Sequence, residues 1–204
     1  MIKIVDYGLG NVRAFLNVYK RLDIPAAVAR TAADLGGASR VVLPGVGAFD
    51  HAMELLQQSG MRETLDDLVL SCNVPVLGVC VGMQILVESS EEGQASGLCW
   101  INGSVRKLRA ADEHQRLRLP HMGWNDVEPV GSFKLFDGLE KDARFYFLHS
   151  YHFDCEARER VLAETCYGTR FVCAVRSGNI YGVQFHPEKS HQYGTRLLKN
   201  FAEV

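Results

Sequence analysis

The stretch VPVLGVCVGMQILVES, residues 74–89, decides the fold. Val74–Val79 is apolar throughout, the pattern of a strand buried on both faces, and Gly82–Ser89 reads as a helix. A doubly buried strand running into a helix is the unit of a parallel sheet wrapped by helices. At the junction stands a cysteine with a glycine two places to either side: Gly78-Val79-Cys80-Val81-Gly82.

Upstream the same alternation repeats. Ile2–Val5 and Ala26–Ala29 read as short strands. Between them Asn11–Arg21 carries Val12, Phe15, Leu16 and Tyr19 at helical spacing. Arg40–Leu43 is a further strand that runs into Pro44-Gly45-Val46-Gly47, and helices are expected over Ala48–Ser59 and Met61–Ser71. Downstream the pattern turns to strands: Ser104–Leu108, Phe145–Phe153, Val161–Glu164, Phe171–Arg176 and Ile180–Phe185. Ser177-Gly178-Asn179 is a hairpin signal between the last two. A closing helix, Tyr193 to Phe201, puts Tyr193, Leu197, Leu198 and Phe201 on one face. No linker or repeat interrupts the chain, so residues 1–204 read as one domain, a parallel α/β sheet extended by antiparallel strands.

The bulk properties exclude several classes. With 47% apolar and 23% charged residues the chain can bury a substantial core, and its net charge of −2, without a dense basic block, argues against nucleic acid or an anionic membrane as partner. Met1–Gly8 reads as a strand and turn, without the apolar core of a signal peptide, and no run reaches the ~18 apolar residues of a membrane span. The six cysteines (72, 80, 99, 155, 166, 173) contain no CxxC pair and suit reduced thiols in the cytoplasm.

The Cys80 junction has the form of a nucleophile elbow, usually written G-x-S-x-G, with cysteine in place of serine. Flanking glycines let strand and helix approach closely, the bend exposes the sulfur at the carboxyl end of the sheet, and the helix N-terminus favours a thiolate. The Val81 N–H is one candidate oxyanion donor. Taken alone, Cys80 also fits a core thiol beside two packing glycines. A thiol nucleophile needs a base, and of seven histidines (51, 114, 121, 149, 152, 186, 191) His186 stands apart. It ends an apolar strand, where ligands of open α/β sheets bind, and Glu188 lies two residues on to orient its ring. A second oxyanion donor is expected from Gly45, Val46 and Gly47, which follow a strand directly, although a simple strand-to-helix turn is the alternative there. Gly8-Leu9-Gly10 begins like a dinucleotide fingerprint, but Arg13 occupies the third glycine position. The histidine spacings are not a zinc pattern. No cofactor and no metal are expected.

Together "LPGVG" (43–47), "GVCVGMQ" (78–84), "MGWN" (122–125), "FLHSYHF" (147–153) and "YGVQFHPEKS" (181–190) resemble the triad-type class I glutamine amidotransferases, and within them the HisH-type glutaminase subunits of imidazole glycerol phosphate synthase. The resemblance runs from "DYGLGNV" (6–12) to "LLKNF" (197–201). It implies a flavodoxin-like open, mostly parallel sheet flanked by helices and extended by antiparallel strands. It implies hydrolysis of L-glutamine by Cys80, His186 and Glu188 through a γ-glutamyl thioester. Gln84, Glu92 (with Glu91 adjacent) and the backbone of Ser150 and Tyr151 match substrate-binding positions. Asn11, Trp124, Tyr146 and Lys189 match positions where ammonia leaves towards a HisF-type (β/α)₈-barrel cyclase, the partner in a heterodimer serving histidine biosynthesis. The alternative is a HisH-like paralogue feeding another synthase, such as a sugar amidotransferase of surface polysaccharide synthesis. Val81 stands where the family more often has leucine, and Arg109–Leu119 reads as a variable polar surface loop.

Overall fold

The computed structural model describes residues 1–112, 117–155 and 157–204. The elements in chain order are β1 (Ile2–Val5), α1 (Val12–Arg21), β2 (Ala26–Ala29), β3 (Arg40–Gly45), α2 (Phe49–Gln58), α3 (Arg62–Asp66), β4 (Val76–Cys80), α4 (Val81–Gln84) and β5 (Ser89–Ser90). They continue with β6 (Ser104–Lys107), β7 (His121–Asp126), β8 (Glu128–Pro129), β9 (Arg144–His149), β10 (Tyr151–Asp154), β11 (Val161–Tyr167), β12 (Thr169–Ser177), β13 (Ile180–Val183) and α5 (His191–Phe201).

Five parallel strands in the order β2-β1-β3-β4-β13 form the centre of the main sheet. This is the doubly wound order of a flavodoxin-like fold, in which ligands bind at the carboxyl ends of the strands. Every residue of β4 is buried, as its unbroken apolar run requires. Helices flank the sheet, with α1 packed beside α5 and α2 beside α4. Beyond β13 the sheet turns antiparallel through β12, β10 and β6, while β11 pairs β12 off this path and β8 pairs β11. Ser177 pairs Ile180 across Gly178-Asn179, and Gly178 at φ +59° supplies the left-handed residue that the hairpin needs. Among the described residues, no helix is long and apolar enough to cross a membrane.

The structure departs from the sequence reading at several places. The expected helix Gly82–Ser89 stops at Gln84 after one turn. The carbonyls of Ile85, Leu86 and Val87 are taken by the amides of Leu98, Trp100 and Cys99, so the helix ladder cannot continue. The expected strand Phe145–Phe153 is two strands in two sheets: β9 pairs β7 in the small sheet, whereas β10 pairs β6 and β12 in the main one. The chain steps from one sheet to the other at Ser150, whose carbonyl accepts from Leu108 N–H at 2.9 Å. β7 itself has no counterpart in the sequence reading. β3 runs on through Pro44 to Gly45, and the helix expected over Met61–Ser71 becomes α3 followed by a wider π-turn over Asp67–Ser71. Of the loop 109–119, residues 113–116, including His114, lie outside the described residues.

Candidate active site

The carboxyl ends of β3, β4 and β13 build the site. Cys80 ends β4 and is the N-cap of α4, with φ +56° and ψ −115°, a backbone conformation that a side-chain-bearing residue adopts only under constraint. The constraint is backbone packed against backbone. A Cβ on Gly82 would run into the Leu43 carbonyl, and one on Gly78 into the Gly82 carbonyl. Gly45 is the register partner of Cys80 and leaves no room for a side chain against the Gly82 amide. Tyr7 closes the end of β3, its buried hydroxyl donating to the Pro44 carbonyl at 2.8 Å. Burial, with the charge of Cys80 added, pushes this phenol up and keeps it a donor.

His186 follows β13. Its backbone N–H donates to the Tyr146 carbonyl at 2.8 Å, and the hydroxyl of the fully buried Ser190 donates to its carbonyl at 2.6 Å. Nδ1 lies 2.9 Å from Glu188 Oε1 across one turn of 3₁₀ helix that begins with Pro187, and both side chains are buried. Nε2 has no well-formed hydrogen-bond partner. Burial pulls the imidazole down, but hydrogen bonds and charge from Cys80 and Glu188 outweigh it, and its pKa stands raised to about 10. The ring therefore carries a proton at neutral pH, facing the sulfur and held from behind by a carboxylate.

These groups open on a cavity of about 90 Å³ lined by Val46, Gly47, Cys80, Val81, Gln84, Glu92, Leu148, His149, Ser150, Tyr151 and His186. All the substrate-binding positions inferred from the sequence meet there. Gly47 has φ +91° and open space where a Cβ would stand. The neighbouring acids separate cleanly. Glu92 reaches the cavity and accepts from the Phe49 N–H at 2.9 Å, at the start of α2. Burial, against the Phe49 hydrogen bond, holds its carboxyl above the usual value. Glu91 turns away to the Lys107 N–H and Arg109. Gln84 donates to the Tyr151 carbonyl at 2.9 Å and to Gln184 Oε1 at 3.0 Å.

The sequence reading did not single out Leu148 or His149 on the cavity wall, nor Gln184, whose Nε2 lies 3.8 Å from Cys80 Sγ. One signal was available: a glutamine buried in an apolar strand end must find partners, because an unpaired amide there is costly.

An exposed apolar face adjoins the cavity. Met122 and Trp124 on β7 are 64% and 40% exposed. They pair with Leu148 and Tyr146 on β9, and Leu148 also lines the cavity. Trp124 stacks on His191 with ring centroids 5.3 Å apart, and Lys189 Nζ lies 5.7 Å from the centre of the Tyr146 ring. Trp124, Tyr146 and Lys189 thus share one surface, while Asn11 is the N-cap of α1 and accepts from the Ala14 N–H at 3.2 Å.

A family model described as glutamine amidotransferase class-I matches residues 3–204. A Bdellovibrio bacteriovorus protein named imidazole glycerol phosphate synthase subunit HisH is 61% identical over 204 residues, covering 100% of both chains. The protein of the same name from Leptospira interrogans is 50% identical, again over 100% of both. A solved structure described as a glutamine amidotransferase superposes with a TM-score of 0.73 at 21% identity, covering 100% of this chain and 99% of that one. That last likeness speaks for the fold.

Proposed function

The chain belongs to the class-I glutamine amidotransferases, and on that premise we propose that it is the glutaminase subunit of an imidazole glycerol phosphate synthase, serving histidine biosynthesis. Supporting the reading is one observation above others: Cys80 and the Glu188-held His186 face a single cavity. Full-length relatives of that name at 61% and 50% identity set the acceptor pathway.

The sulfur of Cys80 attacks the side-chain amide carbon of glutamine. The C–N bond breaks as His186 gives its proton to the departing nitrogen, leaving a γ-glutamyl thioester and ammonia. A water then adds to the thioester as the neutral His186 takes its proton, and the C–S bond breaks to release glutamate. Both tetrahedral intermediates carry an oxyanion, for which the Val81 amide and the Gly45-Val46-Gly47 segment are the candidate donors. Gln84 and Glu92 contact the substrate, and the backbone of Ser150 and Tyr151 holds its amino-acid end. Residues 1–204 act as one domain, in the cytoplasm, where the six free thiols suit a reducing environment. Ammonia passes to a HisF-type (β/α)₈-barrel cyclase that docks as a heterodimer on the exposed face of β7 and β9.

The test is direct. Cys80→Ala should lower glutamine hydrolysis by roughly 10⁴-fold or more while circular dichroism stays that of the folded chain. A glutamine-like electrophile should label Cys80 and none of the other five thiols. Residual turnover near wild type, or labelling elsewhere, removes the assignment.

A further inference from the structure

Gln184 is fully buried just beyond β13, with its backbone N–H on the Cys173 carbonyl at 2.8 Å. Its side-chain nitrogen lies 3.8 Å from Cys80 Sγ, and its oxygen 3.0 Å from Gln84 Nε2. A side-chain amide can be turned end for end in place, so its polarity is decided by a neighbour with only one possible role. Here that neighbour is main chain. The Tyr151 carbonyl can only accept, and it lies 2.9 Å from Gln84, so Gln84 presents its NH₂ there. The same nitrogen faces Gln184, which must answer with its oxygen and so turns its own NH₂ to the sulfur.

A second chain starts at the same carbonyl. His149 Nδ1 lies 2.8 Å from Tyr151 O and must carry the hydrogen, which leaves Nε2 to accept from His121 Nδ1 at 2.9 Å. His121 Nε2 in turn accepts from the Asn125 amide at 3.3 Å. Burial holds His149 down to about 3 and His121 to about 4. Both rings are therefore neutral at neutral pH. One carbonyl thus polarises two buried chains, and one of them ends on the reacting atom.

Besides the His186 ring, the sulfur also meets the Leu148 carbonyl, 3.8 Å away, which can accept from a thiol and can only repel a thiolate. We propose that Gln184 is a catalytic residue whose side-chain N–H donates to Cys80 Sγ. It stabilises negative charge on the sulfur before attack, and again when the C–S bond of the thioester breaks and the electron pair returns to sulfur. The proposal rests on Cys80 being the nucleophile.

Gln184→Glu and Gln184→Met separate this role from packing. Glutamate keeps an oxygen for Gln84 and replaces the donor at the sulfur. Methionine fills the space and offers neither. In the full chain, alkylation of Cys80 by a glutamine-like chloroketone at neutral pH, and kcat for glutamine, should fall roughly ten- to a hundredfold in both variants, as for loss of a hydrogen bond to a charged group. In Gln184→Glu the KM for glutamine should stay within about twofold, because Gln84 keeps its partner. Gln184→Glu alkylating at the wild-type rate, or a loss lying wholly in KM, overturns the proposal. A measurement that leaves Gln184 in place covers a variant that fails to fold: the NMR resonances of its side-chain amide protons should move upfield in Cys80→Ala, and unmoved resonances overturn the proposal. If the wild-type chain is not alkylated at Cys80, the nucleophile falls and this proposal with it. If it is alkylated and the Gln184 variants react at the wild-type rate, only this proposal falls.

Discussion

His186 is an imidazole that burial should neutralise, yet it holds its proton, because a carboxylate stands 2.9 Å behind it and a sulfur in front. Glu188→Gln keeps the shape and removes the charge. It should lower kcat by roughly 10²–10⁴, the range for impaired acid–base catalysis, with KM for glutamine little changed; steady-state kinetics on the folded variant checks this. At this scale the sequence was informative about residue type and silent about direction. Cys80, His186 and Glu188 were legible as candidates because few side chains can do their chemistry, Cys80 ends a strand, His186 lies just beyond one and Glu188 follows two residues on. Glu91 and Glu92 could not be told apart, since only contacts from distant chain, the Phe49 and Lys107 amides, turn them opposite ways. Gln184 was legible only as an amide in an apolar strand end in need of partners, since nothing in its neighbours along the chain shows that Gln84 and Cys80 lie beside it.

At the scale of elements, the elbow depends on β3 and the first turn of α4 touching backbone to backbone. Gly82→Ala would drive a methyl group into the Leu43 carbonyl with no flexible side chain to yield. It should cost at least about 1–3 kcal/mol and lower the Tm by about 2–4 °C for each of those, with activity falling alongside. Gly178→Ala tests a different cost. It meets no atom within 4 Å but holds φ +59°, so it should lose only about 1–2 kcal/mol, read from urea unfolding, while glutamine hydrolysis is retained. Of the parallel strands, β1, β3 and β4 were legible because each is short, apolar and followed by a helix, β2 and β13 by their apolar runs alone. α4 was read too long because apolar Ile85-Leu86-Val87 suits a helix locally, whereas the amides that claim their carbonyls come from residues 98–100. The break at Ser150 was equally invisible, since both strands alternate in the same way and only their partners differ.

Over the whole molecule, two sets of histidines pull stability in opposite directions with pH. His121 and His149 are held neutral by burial, below the ordinary value of 6.5. From about pH 6.5 downwards the unfolded chain takes up protons that the folded pair refuses, so acid destabilises the fold. The slope is at most about 1.4 kcal/mol per pH unit for each ring. The Tm should fall between pH 6.5 and 4, and a flat Tm there would count against a buried neutral pair. His186 is raised from 6.5 to about 10, so its contribution is fully present below 6.5 and fades as the pH climbs through 10. The face of β7 and β9 also belongs to this scale. If the proposed cyclase docks there, Trp124→Ala should weaken its binding by about 2 kcal/mol or more, roughly thirtyfold, in titration calorimetry, with the chain still folded.

The step of the chain at Ser150 has a consequence for redesign. Leu148, on the outward-facing ribbon, and Tyr151, whose carbonyl orders the buried amides, are three positions apart along one backbone. On the proposed docking face, docking specificity and catalytic geometry would therefore be written in the same few codons. Retargeting this protein to a different acceptor by exchanging the ribbon would carry the cavity wall along with it, so grafts that end before His149 should keep their chemistry and grafts that run through Tyr151 should lose it.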